Sequence, residues 1–416
     1  MISNNHEKAE KYIRGISINV LLMGFVSFFT DISSEMITAI LPFFILSIAG
    51  GNILALGYIS GISNAIANMV KGLSGFLSDK FKKRKPFIIL GYSISNIAKP
   101  FIGLQRFWYG VLGLKITDRI GKGVRVAPRD ALISYYSEKS VRDHKFNNSS
   151  RSGINFGIHR TMDTLGAVTG ASLAALLIFI GLSYENTILL SIIPGVFAIV
   201  IIFFVKDVHL EEFTETDKKE RIQKSEDITH PMIKLIIILS IMEFASVDIA
   251  FIMVRAGELI GTGGSLSIEW VILLYAITNI IYALMATPAG KLSDRFGKQR
   301  VISVGLSILF IISLLLIFPH TNSSFIIFII FPLFGIYLAI VDTCSKAFIS
   351  DLSGKNKKGK VYGLYYFLVG MLSIIESILF AFLYQKFSYQ IAFGFSTALL
   401  LVCIIIFATA DFQIKK

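Results

Sequence analysis

The sequence predicts an all-α membrane protein with twelve transmembrane helices in two pseudo-symmetric six-helix halves. Three observations support this prediction. Hydrophobic residues make up 54% of the 416 residues and charged residues only 16%, a balance typical of polytopic helical bundles. Apolar runs of about 20 residues, the length that crosses a bilayer, recur almost end to end. The charged turn 75–85, GFLSDKFKKRK, is repeated at 290–300 as GKLSDRFGKQR, each time between two long apolar runs.

The hydropathy pattern divides into six spans before the midpoint and six after it. The first six spans cover residues 16–47, 54–78, 86–104, 108–136, 155–181 and 186–206. The second six cover residues 232–260, 268–290, 301–318, 325–350, 361–384 and 389–411. The polar stretch between them predicts a linker. The expected organisation is therefore an N-terminal half at 1–206, a linker at 207–231 and a C-terminal half at 232–416.

The basic residues predict the orientation of the chain. Nearly all loop Lys and Arg fall on the side shared by the two termini, whereas the opposite loops carry only Arg106 and Lys386. The positive-inside rule therefore places both termini in the cytoplasm, as expected for a multi-pass protein of the cell (inner) membrane. The net charge of +12 is then a topology signal. Because no basic soluble face is predicted, we expect no nucleic-acid partner.

Charged residues also occur inside the spans, where each would cost about 2.5–3.5 kcal/mol at the bilayer centre. They must pair with one another or line a water-filled cavity. In the fourth helix, charged residues recur every three or four positions and form a stripe on one face, with Arg119 beside it. The residues of the stripe are Lys115, Asp118, Lys122, Arg125 and Arg129. Such a cationic face suits an anionic or zwitterionic solute, because Arg binds carboxylate or phosphate at two points. The alternative is an internal salt-bridge network.

The second half contributes further charges at similar depth. Acids outnumber bases there, which would suit a cationic solute and leaves the charge of the solute open. The candidate substrate-binding or cavity residues are Lys115, Arg119, Lys122, Arg125, Glu243, Asp248, Arg255, Asp342, Lys346 and Glu376.

Coupling to protons needs a group that changes protonation as the cavity switches sides. A desolvated carboxylate beside a movable Arg can take up a proton when the pair opens. The candidate coupling residues are Asp31, Glu35, His159, Arg160 and Asp163. Two alternatives remain open. The pair Asp31 and Glu35 could bind a cation, although no oxygen-rich metal cluster is predicted, and His159 could be a packing residue.

The repeated charged turns predict a conformational latch. Asp79 and Asp294 end their helices, where they can meet the positive N-terminal ends of neighbouring helices. Lys85 and Arg300 could pair with Asp130 and Asp351. The candidate latch residues are Gly75, Asp79, Lys85, Arg129, Asp130, Gly290, Asp294, Arg295, Arg300 and Asp351. A static topology anchor is the alternative.

These motifs resemble those of the major facilitator superfamily (MFS). Both charged turns are similar to its most specific signature, Gly-x-Leu-Ser-Asp followed by aromatic and basic residues. The pattern from Arg119 to Gly123 resembles its second motif. Gly166-x-x-x-Gly170 resembles the antiporter motif, with Ala171 where the family has Pro. The resemblance implies the MFS fold and alternating access, and a latch role for the turns.

A narrower likeness concerns the stretches 30–36 (TDISSEM), 118–125 (DRIGKGVR), 128–132 (PRDAL) and 159–163 (HRTMD). They resemble a prokaryotic branch of mostly unassigned substrate. Some relatives in that branch are associated with iron or siderophore traffic or with magnetosome membranes, which is a lead for the substrate class only.

The expected function is a secondary active transporter that moves a small solute by alternating access, coupled to protons. Proton antiport of a drug or metabolite and uptake of an anionic or metal-chelating, siderophore-like compound both remain open. A non-transporting sensor or scaffold of the same fold is the alternative class. No catalytic constellation, cofactor or metal site is predicted. The expected partners are the solute, the proton and the lipid bilayer, and the chain is expected to be a monomer.

Overall fold

The computed structural model describes residues 12–13, 16–48, 50–81, 84–143, 151–206, 230–261, 267–318 and 324–410. The side chains of 12–16, 71–81, 137–143, 151–154, 156 and 353–360 lie outside the description. The predicted linker, 207–231, falls almost entirely outside the described residues. A short antiparallel hairpin, β1 (Tyr12–Ile13) and β2 (Ile16–Ser17), precedes the helices.

Six helical segments form the N-terminal half. They are α1 (Ile18–Thr38 and Leu41–Ser47), α2 (Ile53–Phe81), α3 (Lys85–Phe101), α4 (Trp108–Asp143), α5 (Arg151–Phe179) and α6 (Tyr184–Leu190 and Ile192–Phe204). A short 3-10 turn, Ile102–Leu104, extends α3. The second pieces of α1 and α6 carry Pro42 and Pro194 in their first turns, where proline is tolerated because the first helical N–H groups have no helical partner.

The C-terminal half repeats this order. It contains α7 (His230–Ala245 and Ile249–Gly261), α8 (Ile268–Phe296), α9 (Lys298–Ile317), α10 (Ile327–Leu352), α11 (Val361–Lys386) and α12 (Tyr389–Thr409). The backbone is helical from Ile327 to Lys386, yet Tyr362 Oη donates to the Lys346 carbonyl at 2.7 Å. A straight helix would separate these residues by about 24 Å, so the chain reverses between α10 and α11.

Eleven of these segments, within the described part of the chain, are long and apolar enough to cross a membrane. The segment that falls short is α4, whose 36 residues include the predicted charged stripe. The all-α membrane fold predicted from sequence is confirmed. The charges on α4 make it less apolar than the other segments, and α2 and α3 pack against it.

The two halves carry corresponding contacts at one end of the bundle. At the start of α3, Lys85 Nζ donates to the Phe203 carbonyl at the end of α6, at 3.0 Å. At the start of α9, Gln299 Nε2 donates to the carbonyls of Phe407 and Ala410 at the end of α12. We call this end, where α1 begins and α12 ends, the base of the bundle, and the opposite end the top.

Small residues bring the halves together toward the top. A Cβ atom added at Gly57 of α2 would lie 2.5 Å from Ala381 Cβ of α11. One added at Gly61 would lie 3.0 Å from Ile374 Cα, and one added at Gly370 would lie 3.2 Å from the Ala65 carbonyl. Among the described residues, the glycine contacts and hydrogen bonds between the halves all lie from the top to mid-depth. The halves are therefore joined at the top.

Within the N-terminal half, Gly166 and Gly170 allow α5 to pack closely on α1. Added Cβ atoms would lie 2.4 Å from the Phe28 carbonyl and 2.5 Å from the Ile32 carbonyl. Backbone contact of this kind is typical of small-xxx-small motifs in membranes. The Gly-x-x-x-Gly pattern thus serves helix packing inside one half.

We expect Gly57→Ala to destabilise the protein by about 1–3 kcal/mol, because the added methyl group overpacks the contact between α2 and α11. The matched control is Gly113→Ala in α4, where an added Cβ meets no atom within 4 Å. That change should instead stabilise by roughly 0.5–1 kcal/mol through helix propensity. Thermal unfolding of both purified variants measures the difference, and equal shifts of the same sign would contradict the packing account.

Candidate functional site

Two hydrogen bonds join the halves at mid-depth with matching chemistry. Tyr275 Oη of α8 donates to Glu35 Oε2 of α1 at 2.6 Å. Asn64 Nδ2 of α2 donates to Asp248 Oδ2 at the break of α7, at 3.3 Å. In each bond the first helix of one half supplies a carboxylate and the second helix of the other half supplies a neutral donor. The pseudo-symmetry of the fold therefore extends to the polar contacts at its centre.

A third polar bridge links α5 to α8 and α10. Arg160 Nη2 donates to Tyr282 Oη at 2.5 Å, and Tyr282 Oη donates in turn to Asp342 Oδ2 at 2.9 Å. Lys346 Nζ lies 2.6 Å from Asp342 Oδ1. Asp342 and Lys346, predicted as cavity residues, are thus paired with each other. Arg160, predicted as a coupling residue, is the residue that the N-terminal half contributes to this bridge.

The basic stripe of α4 divides into two sets. Lys115, Arg119 and Lys122 face the centre of the molecule. Lys115 and Arg119 are close enough to Asp248 to interact with it electrostatically, and Lys122 interacts in the same way with Asp31 and Glu35. These three basic residues of the N-terminal half therefore meet carboxylates contributed by both halves.

The other set, Asp118 and Arg125, faces α3. Asp118 Oδ1 accepts a hydrogen bond from Ser95 Oγ at 2.6 Å. Arg125 is 3% exposed and stacks on the Tyr92 ring at 4.4 Å. Residues seven apart share a direction on a helix, and this set is turned by roughly 60° from Lys115 and Lys122. In this structure α3 covers Arg125, and its Nε and Nη1 atoms have no hydrogen-bond partner among the described residues. Its place in the cavity therefore stays a prediction.

Three of the predicted coupling residues lie together between α1 and α5. Asp31 interacts electrostatically with Asp163, and His159 Nδ1 lies 3.7 Å from Asp163 Oδ2. His159 is 4% exposed. Within the described part of the chain, His159 Nε2 and Asp163 Oδ1 have no hydrogen-bond partner. The group thus holds buried polar atoms with unused hydrogen-bonding capacity.

The predicted latch pairs differ from those in the structure. Asp351 Oδ2 contacts Lys298 Nζ at 2.6 Å rather than Arg300, whose side chain is exposed. Lys298 also contacts Asp294 at 3.3 Å. The expected pairing of Lys85 with Asp130 is likewise not formed, because Lys85 reaches the end of α6 and Asp130 pairs with Arg129 at 2.9 Å.

The remaining predicted latch residues lie in the repeated charged turns at 75–85 and 290–300, apart from Arg129, which lies in α4. Gly290 packs 3.7 Å from Thr343 within its own half, and Arg295 is exposed. The predictions for Gly75 and Asp79 lie outside the described side chains. Arg129, besides its contact with Asp130, donates from Nη1 to Ser27 Oγ at 3.4 Å. The described contacts of these residues stay within one half.

Arg255, predicted as a cavity residue, forms an ion pair within the C-terminal half in this structure. Its guanidinium contacts Glu258 Oε2 at 3.1 Å and lies 3.5 Å from the centre of the Tyr389 ring. Tyr384 Oη donates to the same Glu258 oxygen at 2.8 Å. These residues join α7, α11 and α12 near the top of the C-terminal half, so the charge is neutralised inside one half.

Several residues at the centre were absent from the predicted set. Lys99 of α3 is 1% exposed, and its ammonium group donates to Asn96 Oδ1 at 2.8 Å and to the Thr30 carbonyl at 3.3 Å. A lysine inside an apolar span is a signal that could have identified it. Tyr275 and Tyr282 carry no such signal, because Tyr is common at membrane interfaces and in ordinary packing.

No three described His, Cys, Asp or Glu side chains are grouped in a way that could hold a metal ion. A cavity of about 440 Å³ lies at the top of the N-terminal half, against Ile48, Gly103, Leu104, Gln105, Arg106 and Glu185. It is lined by none of the central residues described above.

Comparison with known proteins identifies the relatives of this chain. The family model of the Major Facilitator Superfamily matches residues 23–256 and 235–413. An uncharacterised MFS-type transporter of Methanocaldococcus jannaschii is 34% identical over 401 residues, 96% of each chain. An uncharacterised protein of Mycobacterium tuberculosis is 23% identical over 362 residues, 83% of this chain and 81% of its own.

Solved structures show the same fold at low sequence identity. The nucleoside transporter NupG superposes with a TM-score of 0.75 at 12% identity, covering 94% of this chain and 100% of its own. A POT family transporter in complex with 5-aminolevulinic acid superposes with a TM-score of 0.70 at 13% identity, covering 93% of this chain and 94% of its own. Because a matching family model covers both halves and the archaeal relative matches nearly end to end, this chain belongs to the Major Facilitator Superfamily of membrane transporters.

Proposed function

We propose that the protein is a proton-coupled secondary active transporter that moves a small solute by alternating access. The observation that carries this proposal is the set of polar bridges between the halves at mid-depth. Glu35 with Tyr275, Asn64 with Asp248, and Arg160 with Tyr282 each join one half to the other. Bridges of single hydrogen bonds can break and re-form when two rigid halves rock about a central site.

The packing supports a conformation that opens toward the base. Small residues join α2 to α11 at the top, and the described glycine contacts and hydrogen bonds between the halves lie from the top to mid-depth. The basic loops lie at the base, and the positive-inside rule makes this the cytoplasmic side. The structure then corresponds to an inward-facing state.

The solute site lies between α4 and the helices of the C-terminal half. Lys115 and Arg119 approach Asp248 of the other half. Arg119 keeps 19% of its side chain exposed, and its Nε lies 4.0 Å from Asp118 Oδ2. An Arg in this position can bind a carboxylate or phosphate group at two points. We therefore propose a solute that carries an acidic group.

Proton coupling is assigned to Asp31 and Asp163, with His159 as a neighbour. The two carboxyl groups face each other across α1 and α5, and Lys122 faces Asp31 from α4. Two like charges at short range disfavour double ionisation, so the pair can hold one proton. Arg125 of α4 faces Asp31 as well. Movement of Lys122 toward the solute would weaken the cationic surroundings of Asp31 and favour proton uptake.

The charged turns act as the latch of the outward-facing state in this proposal. In the present conformation Asp351 and Asp294 share Lys298 within the C-terminal half. Closure of the base would bring the turn at 75–85 against α11, and the turn at 290–300 against α5, by the pseudo-symmetry of the halves.

Counterflow in proteoliposomes tests the proposal directly. A thermal-shift screen at two pH values first identifies a ligand among organic acids, siderophores, cationic dyes, nucleosides and 5-aminolevulinic acid. Labelled ligand outside vesicles loaded with unlabelled ligand should then accumulate transiently. Binding of ligand without counterflow would favour the alternative of a sensor with the transporter fold.

Replacing Arg119 and replacing Arg125 should have different effects, one on ligand binding and the other on thermal stability. Arg119→Ala is expected to weaken binding of the identified ligand by about 10- to 100-fold, the value of a lost charge-assisted hydrogen bond. Arg125→Ala should mainly lower the melting temperature, because it removes a buried side chain stacked on Tyr92. Titration and thermal unfolding of both variants measure the two effects, and normal affinity in Arg119→Ala would exclude this part of the site.

Asp31→Asn should uncouple transport from protons. One pH unit across the membrane can support about tenfold accumulation per coupled proton, and the amide cannot carry that proton. We expect accumulation driven by a pH gradient to vanish while counterflow persists. The control is Glu185→Gln at the top, in the first turn of α6, which should retain both activities. Undiminished accumulation in Asp31→Asn would remove Asp31 from the coupling mechanism.

A further inference from the structure

Two acids of the C-terminal half lie at the centre without a cation beside them. Among the described residues, the charged groups that face Glu243 are Asp342 and Asp248, and Asp342 is already paired with Lys346. The charged groups that face Glu376 are Asp248 and Glu243. Every charged neighbour of these two carboxyl groups is thus another acid. Such a group is costly at membrane depth unless a cation or protons neutralise it.

Glu376 has an unused acceptor in this group. The residue is 7% exposed, and Oε2 accepts a hydrogen bond from Ser377 Oγ at 2.8 Å. Its Oε1 atom is buried and has no hydrogen-bond partner among the described residues. Since buried polar atoms are nearly always satisfied, Oε1 is available to accept a hydrogen bond from a bound solute.

Aromatic rings complete the surroundings of the two acids. Tyr337 of α10 is buried and interacts with both Glu243 and Glu376. Tyr365 of α11 interacts with Glu243 and Tyr337. Carboxylates beside Tyr side chains can bind ammonium groups, because the carboxylates accept charge-assisted hydrogen bonds and aromatic rings attract cations.

We propose that Glu243, Glu376, Tyr337 and Tyr365 form an amine pocket that binds the protonated amino group of the solute. Asp248 faces both acids of this pocket and also Lys115 and Arg119 of α4. The amine pocket is therefore continuous with the basic face that receives an acidic group. The solute class is amphoteric: a small molecule with an amine at one end and a carboxylate or phosphate at the other. The assignment of the acidic end rests on the proposed function, whereas the amine pocket can be tested by binding alone.

The test uses three matched probes on the purified full chain: phenylalanine, phenethylamine without the carboxylate, and phenylpropionate without the amine. Binding is followed by thermal shift and titration calorimetry. Phenylalanine should bind more tightly than either half-probe. Glu376→Gln should weaken phenethylamine binding by about tenfold or more and leave phenylpropionate binding unchanged. It should fold at least as well as the natural protein, because it removes a buried carboxyl group that has no cation.

Glu243→Gln provides a second variant with the same expected result, and Glu185→Gln at the top is the matched control that should bind all three probes normally. Equal phenethylamine affinity in the natural protein, Glu376→Gln and Glu243→Gln, or no phenethylamine binding at all, would overturn the amine pocket and assign the two acids to protons alone. Arg119→Ala separates the two proposals, because loss of phenylpropionate binding there tests the α4 site independently.

Discussion

The cost of placing an ionised side chain in hydrocarbon is the constraint on which the rest of the structure depends. The fourth helix carries Lys115, Asp118, Arg119, Lys122 and Arg125 within a membrane-length segment, and none of these can face lipid without a large penalty. The fold meets this constraint by placing α4 against α2 and α3. Asp118 and Arg125 are held inside the N-terminal half, where Asp118 accepts a hydrogen bond from Ser95 and Arg125 stacks on Tyr92. Lys115, Arg119 and Lys122 are left facing the centre.

The residues that remain at the centre define the chemistry of the molecule. Glu35 and Asp248 each accept a hydrogen bond from the opposite half, so these two acids also help to hold the halves together. In the proposed transport cycle, neutral donors suit this position because the contact has to break and re-form. The ion pair of Arg255 and Glu258 lies instead within one half.

Close packing at the top complements the polar centre. Gly57 and Gly61 let α2 approach the backbone of α11, and contacts of this kind rely on shape rather than charge. In the proposed cycle, close packing at one end and a polar centre at mid-depth would together allow the halves to pivot. Glu243 and Glu376, whose charged neighbours among the described residues are all acids, lie beside that centre, where the proposed solute would meet both halves.

By itself, the sequence determined the fold class, the order of the spans and the residues that could be charged at membrane depth. Hydropathy, the repeated turn and the basic loops carry that information because they reflect the free energy of transferring a segment from water to lipid. That free energy depends on the residues of each segment separately. Only the tertiary structure decided which charges share a space. Residues of one helical stripe point in a range of directions, and a rotation of roughly 120° about the α4 axis separates Arg125 under α3 from Arg119 at the centre. The partners of Glu35, Asp248 and Arg160 come from distant segments, and no local pattern specifies them.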